Sequence, residues 1–201
     1  MKSYIKETLN YYDNNIDAYK EMWLNDFTKN YNFEMPDIFL SYLNKNSHIL
    51  DLGCGTGMDS KYFIDKGYEV TSIDGSYEMC KLAETLLNKG VKQINFLDIN
   101  YKNEFDGIFA CASLLHLSNQ DLLLVLRKIS NALKKEGILY TCFKYGENER
   151  VDKGRFYNDM TLEKFTHLCN NISDLRILKS WITTQYKSDT KFINFIIKKN
   201  I

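Results

Sequence analysis

Gly53, Gly55 and Gly57 occupy alternate positions in HILDLGCGTGMDS, directly after an apolar run and before a helical pattern. A strand, a glycine turn and a helix form the arrangement with which open α/β sheets bind nucleotide-like ligands, at the carboxyl ends of their strands. The glycines permit a tight turn and a close approach of ligand to backbone. Their spacing is GxGxG, not the GxGxxG that seats a pyrophosphate on a helix N-terminus. Asp51 lies two residues before the first glycine, where a carboxylate suits a cation better than a phosphate. Asp74 closes the next strand-like run, VTSID, roughly 20 residues on, where an acid accepts hydrogen bonds from ribose hydroxyls. These residues predict a ligand with a ribose and a cationic amino-acid portion and without phosphate.

A second set of candidates follows from the elements that must carry them. Residues 3–46 have a helical, aromatic-rich pattern containing Tyr4, Tyr11, Tyr12, Tyr19, Trp23 and Phe27, then the run IFLSYL; they read as an N-terminal helical cap. The chain then alternates strand HILDL, a helix through KYFIDK, strand EVTSID, a helix through CKLAETLLNK, and strands QINFL and FDGIFACA. Such alternation predicts a parallel sheet with helices on both faces. Ser118 and Asp121 give the start signal of a further helix, with Leu122, Leu126, Ile129 and Leu133 at helical spacing and Lys134, Lys135 and Gly137 as its end. Strand ILYTCFKY, the polar stretch GENERVDKGRFYND, a short helix near LEKFTHL and strands RILKSWIT and KFINFIIKK complete the order.

Composition narrows the functional classes. The 201 residues hold 26 Lys+Arg and 26 Asp+Glu, a formal net charge of zero, so the overall positive field of a nucleic-acid binder is missing and a small-molecule substrate is favoured. No signal-like N-terminal core and no stretch of roughly 20 apolar residues is present, and a cytoplasmic protein is expected. The five cysteines, Cys54, Cys80, Cys111, Cys142 and Cys169, are scattered without metal-ligand spacing, so no metal site is expected. Length suits one domain, residues 1–46 as the cap and 47–201 as the core.

The combination of ILDLGCGTG with Asp74 resembles the class I S-adenosylmethionine-dependent methyltransferases, and the resemblance runs from Tyr11 to Lys199. It implies a Rossmann-like, seven-stranded, mostly parallel sheet whose final strand is antiparallel, S-adenosyl-L-methionine as cofactor, and methyl transfer by direct displacement; the small polar acceptor is expected from the zero net charge and the polar stretch. It also implies that Asp51, Gly53, Cys54 (through its backbone), Gly55 and Gly57 hold the methionine portion, that Asp74 holds the ribose, and that Asp98 with Ile99 and Met79 adjoin the adenine. Tyr12 and Tyr19, seven apart, read either as lid contacts to the cofactor or as packing on one helical face.

Because the sulfonium methyl is itself electrophilic, the protein's main task is orientation and exclusion of water. His116, in ASLLHL after the fourth strand, is placed either as a base or as a group that shapes the pocket. Lys144 and Arg155, after the fifth strand, form with Arg150 and Lys153 a basic loop that reads either as a holder of an anionic or polar acceptor or, with Glu147, Glu149 and Asp152 interleaved, as a solvated loop. The D/N-P-P-Y/F motif of base-modifying enzymes is absent: CASLLHL stands there, and the one proline is Pro36. An RNA methyltransferase and a silent cofactor-binding regulatory subunit are the alternatives, and the oligomeric state is undetermined.

Overall fold

HILDL forms strand β1 (His48–Leu52), and four of its five residues are buried, as befits a strand covered on both faces. The computed structural model describes residues 1–21, 33–185 and 188–200. The remaining strands are β2 (Glu69–Asp74), β3 (Lys92–Gln93), β4 (Phe105–Ala110), β5 (Leu133–Lys144), β6 (Glu149–Asp152), β7 (Arg155–Asn158), β8 (Leu175–Thr184) and β9 (Lys191–Lys199). The main sheet among these residues has seven strands in the order β3-β2-β1-β4-β5-β9-β8. β1 pairs in parallel with β2 on one side and with β4 on the other; β9 runs antiparallel to both β5 and β8. The chain thus reverses its direction of travel across the sheet between β1 and β4, and a crevice opens at their carboxyl ends.

Alternation along the strands sends the core to two faces. Leu50, Ile108 and Leu139 pack under the helix α5 (Asn119–Ala132) with Leu122, Val125, Leu126 and Ile129. Ile49, Phe109, Ile138 and Tyr140 pack on the other face with Phe39 of α2 (Glu34–Leu40) and Phe63 of α3 (Met58–Asp65). A Cβ on Gly107 would stand 2.6 Å from the Phe39 ring, so the glycine in the middle of β4 lets α2 lie close against the sheet. Ser118 caps α5 by accepting from Asp121 N at 3.3 Å, and Ser76 caps α4 (Tyr77–Leu87) in the same way from Met79 N at 3.1 Å.

Several expected boundaries are corrected. Instead of a full strand over QINFL, only Lys92–Gln93 pair; the Asn95 side chain then accepts from Leu97 N and opens a 3₁₀ turn at Phe96–Asp98, a local side-chain bond that competes with the ladder. α5 ends at Ala132 and β5 begins at Leu133. The polar stretch is not a loop: β6 and β7 pair antiparallel from Glu149↔Asn158 to Asp152↔Arg155. Their two-residue turn, Lys153-Gly154, has φ of 50° and 80°, the doubly positive signature of a type I′ hairpin. In the cap, α1 (Ser3–Asn14) ends before a turn at Asn15, and residues 16–21 are again helical, so Tyr12 and Tyr19 belong to successive segments. Trp23 and Phe27 lie outside the described residues. No described helix is long and apolar enough to cross a membrane.

Candidate functional site

The crevice at the carboxyl ends of β1, β2 and β4 holds a cavity of about 300 Å³. Its floor is the glycine turn, and each glycine has a different reason to be there. Gly53, Gly55 and Gly57 have φ of 84°, 53° and 84°, a region that strains other residues. A Cβ on Gly53 would fall 2.5 Å from Ser113 Cβ, and one on Gly57 would fall 3.0 Å from Ala83 Cβ. Only at Gly55 does nothing stand within 4 Å; that face is open to a ligand. Gly53, Cys54, Gly55 and Thr56 line the cavity, whereas Gly57 does not and is instead the left-handed N-cap of α3.

Asp74, at the end of β2, lines the cavity. It accepts from Gly55 N at 2.9 Å through one oxygen and from Ser76 N at 2.8 Å through the other, so it ties the glycine turn to the start of α4. A carboxylate offers about four acceptor sites, so capacity is left for a hydroxyl group beyond the backbone N–H groups of Gly55, Gly75 and Ser76. Burial pushes Asp74 up against the opposing pull of these N–H groups. Asp51 is 2% exposed and lies below the cavity, outside the residues that line it. Ser60 donates to it at 2.6 Å, and burial, with Asp59 and Asp74 nearby, raises it to about 8. Through Ser60 it fixes α3 to β1, and Asp59, the neighbour of Ser60 in the first turn of α3, reaches the cavity together with Asp74.

Met79 lines the wall as expected, but Asp98 is exposed and Ile99 belongs to the core, and neither reaches the cavity. Asn95 and Phe96 take that place, because the 3₁₀ turn swings the chain away immediately after them. Ile5, Thr8, Leu9 and Tyr12 of α1 form the roof. Their i, i+3, i+4, i+7 spacing was a visible signal of one helix face, although what that face covers was not.

His116 and Tyr12 meet at the roof, with Tyr12 O–H 2.7 Å from His116 Nε2 and Phe156 O 2.6 Å from His116 Nδ1. A carbonyl only accepts, so Nδ1 carries the proton and Nε2 accepts from Tyr12. Burial lowers His116 to about 4, and the charges of Arg155 and Lys144 push the same way. The imidazole is therefore neutral at pH 7, with both nitrogens engaged. Burial raises Tyr12 above the ordinary phenol range. Tyr19, its ring 5.5 Å from that of Tyr12, also lines the cavity.

Lys144 and Arg155 do not line the cavity; they stand behind this pair. Lys144 Nζ lies 3.9 Å from the centre of the Tyr157 ring, and the Arg155 guanidinium lies 4.3 Å from that of Tyr11 and 5.3 Å from that of Tyr157. Burial lowers Lys144, and Arg150 and Arg155 lower it further. Arg150 has a partner, Asp159, at 3.0 and 3.2 Å. Among the described residues no group of three or more His, Cys, Asp or Glu is placed to hold a metal ion.

An open glycine face, a carboxylate with acceptor capacity left, and an apolar wall of Ile5, Leu9, Met79 and Phe96 fit an adenosyl group carrying a polar tail. Residues 50–141 match the family described as a methyltransferase domain. The chain is 28% identical over 164 residues to an uncharacterised methyltransferase of Staphylococcus carnosus (strain TM300), covering 72% of this chain and 78% of that one. It is 30% identical over 148 residues to a glycine/sarcosine N-methyltransferase of Halorhodospira halochloris, covering 67% and 55%. Among solved structures, the Burkholderia thailandensis 1,6-didemethyltoxoflavin-N1-methyltransferase, with bound 1,6-didemethyltoxoflavin and S-adenosylhomocysteine, has the same fold, with a TM-score of 0.81 at 18% identity over 98% of this chain and 89% of that one. With its glycine turn, its β2 carboxylate and its strand order, the chain belongs to the class I S-adenosylmethionine-dependent methyltransferases.

Proposed function

We propose that this enzyme methylates a small acceptor bearing an anionic group, which Lys144 and Arg155 hold while the acceptor atom reaches the cavity past Tyr12 and His116. The observation that carries this reading is the pairing state of the two cations. Neither has a carboxylate within 4.0 Å among the described residues, whereas Arg150 beside them does, and Arg155 Nε is buried without a hydrogen-bond partner. A buried guanidinium N–H left unpaired is costly, and an anion bound there would satisfy it. The Halorhodospira relative is named for acceptors that carry a carboxylate, which supports the same class.

The cofactor supplies an electrophilic methyl group; the chain's residues supply position. Asp74 and the Gly55 face orient the adenosyl end, α1 covers the cavity from water, and neutral His116 fixes the Tyr12 hydroxyl. An acceptor amine that arrives without its extra proton needs no further base.

The test is formation of S-adenosylhomocysteine with small amino carboxylates, glycine first, and with total RNA as the competing substrate. Arg155→Ala and Lys144→Ala are expected to lower kcat/KM for the acceptor about ten- to a hundredfold, the loss of a charge-assisted hydrogen bond, with cofactor affinity unchanged. Arg155→Lys is expected to rescue poorly because an ammonium lacks the planar fork. Turnover of RNA alone, or normal acceptor kinetics in both alanine variants, would overturn the reading.

A further inference from the structure

Cys111, the first residue beyond β4, and Cys142, near the end of β5, face each other with Sγ atoms 3.8 Å apart. Strand register brings them together. Ala110 pairs with Thr141, so the next two residues lie side by side at about the 4.8 Å spacing of adjacent strands, within the roughly 4.4–6.8 Å Cα range of a disulfide. β4 has ended at Ala110, and Ala112 turns into the left-handed region at φ 48°, so Cys111 sits in a bend outside the ladder. Ala112 N–H donates to Cys142 Sγ at 3.1 Å. The hydrogen bond from the Cys111 thiol, with that N–H, holds Cys142 below the ordinary thiol range, and the same thiol contact, with burial, pushes Cys111 up. The two sulfurs also differ in access. Cys142 is 4% exposed and packs with Tyr140 and Ile138, whereas Cys111 is half-buried and lines the cofactor cavity. Methyl transfer as derived above uses neither.

We infer that Cys111 and Cys142 are a peroxide-oxidisable dithiol whose closure to a disulfide weakens cofactor binding. Hydrogen peroxide reaches Cys111 through the cavity. The proton shared between the two sulfurs passes to Cys142, the Cys111 thiolate attacks one peroxide oxygen, the O–O bond breaks, and the departing hydroxide takes that proton from Cys142 as water, leaving a sulfenic acid on Cys111 and a thiolate on Cys142. The Cys142 thiolate then attacks the Cys111 sulfur; the S–S bond forms, the S–O bond breaks, and hydroxide leaves to become the second water. Two thiols lose two electrons, and the peroxide gains them.

Closing the sulfurs from 3.8 Å to a bond of about 2.05 Å draws Cys111 toward β5 and carries Ala112 and Ser113 with it. Those two residues line the cavity. Ser113 Oγ donates to Leu52 O at 2.7 Å, and its Cβ is the atom that a Cβ on Gly53 would strike. The displacement therefore reaches the glycine turn directly.

The test needs no methyl acceptor. The full chain is treated with hydrogen peroxide, mapped by proteolysis and mass spectrometry without reductant, and titrated calorimetrically with S-adenosylhomocysteine. The expected result is a cross-link between the peptides containing Cys111 and Cys142, about 2 Da lighter than their sum. The dissociation constant should rise about fivefold or more and return to its starting value with dithiothreitol. Cys142→Ser, whose changed residue lies outside the cavity, should keep its affinity through peroxide treatment, and Cys142→Ala gives the same control should serine not fold. No cross-link, a cross-link with unchanged affinity, or an equal loss in the Cys142 variant, which would assign the effect to a singly oxidised thiol of the cavity wall, Cys111 or Cys54, overturns the inference.

Discussion

At the scale of single residues, Asp74 and His116 give predictions of different kinds. Asp74→Ala removes the acceptor of Gly55 N and Ser76 N, so it should both weaken the cofactor and loosen the turn, each by about 1–3 kcal/mol. Calorimetry for the affinity and thermal unfolding for the turn check the two losses separately. His116 carries a pH dependence with a definite sign. Its pKa in the folded protein is about 4, against about 6.5 unfolded, so the unfolded chain binds more protons between those values. Its stability contribution is complete above pH 6.5 and is lost as pH falls toward 4, to a total of about 3 kcal/mol. Asp51, raised to about 8, works in the opposite sense: its contribution is complete at low pH and is lost as pH rises from about 4 to 8. The two partly cancel between pH 4 and 6.5, so the informative quantity is a difference between proteins. His116→Asn should be less sensitive to acid than the parent over that interval in denaturant titrations. The groups facing the imidazole are Tyr12, Tyr157, Arg155 and Lys144, and an equal slope in parent and variant would mean that these neighbours set it.

At the scale of elements, α1 is a roof held mainly by polar bonds. Its buried residues are Ile5 and Thr8. Lys2 pairs with Asp121 at 2.7 Å, Tyr4 bonds to the same carboxylate, Phe156 N donates to Thr8 Oγ1 at 3.0 Å, and Ser76 Oγ and Glu78 N donate to Asp13 at 2.6 and 3.1 Å. An element with few apolar anchors opens at low cost. Asp13→Ala should therefore raise amide exchange across residues 3–14 and speed cofactor dissociation in stopped-flow measurements while the β5 amides stay protected. The β6–β7 hairpin offers a second prediction through its turn. Lys153 sits at φ 50°, a conformation that asparagine tolerates better. Lys153→Asn should stabilise the protein by up to about 1 kcal/mol and Gly154→Ala destabilise it by about the same amount, read as opposite shifts in Tm.

At the scale of the whole molecule, the site exists because two faces of one sheet are filled to a fixed depth. Gly107 sets that depth for α2, with Phe39 and Leu43 side chains 2.6 and 2.8 Å from where its Cβ would be. Gly107→Val should overpack this face and cost about 1–3 kcal/mol. Because β4 carries both Gly107 and the approach to Cys111, Ala112 and Ser113, its affinity for S-adenosylhomocysteine should fall with its stability. A Gly107→Val protein with parental Tm would show that α2 moves aside without disturbing the sheet.

The fold and one corner of the site were legible in the sequence because both are written in local chemistry. Apolar runs alternating with helical patterns dictate a parallel sheet, and three glycines directly after HILDL, with an acid closing the next strand, dictate a turn and a carboxylate at the same sheet edge. The hairpin was legible in principle from Lys153-Gly154, but the charge of the surrounding residues hid its period-two pattern. Tertiary structure decided the rest. Tyr12 and His116 meet across 104 residues of sequence, and Arg155 reaches Tyr11 from the far end of a hairpin; no periodicity reports such distances. The glycines look alike in the sequence, yet packing of Ser113 and Ala83 leaves only Gly55 facing open space. Asp98 looked like the natural successor to Asp51 and Asp74, but the Asn95 side chain turns the backbone first and puts Asn95 and Phe96 in the wall instead. Spacing along the chain fixes what each segment becomes, while the register between segments fixes which side chains share a cavity.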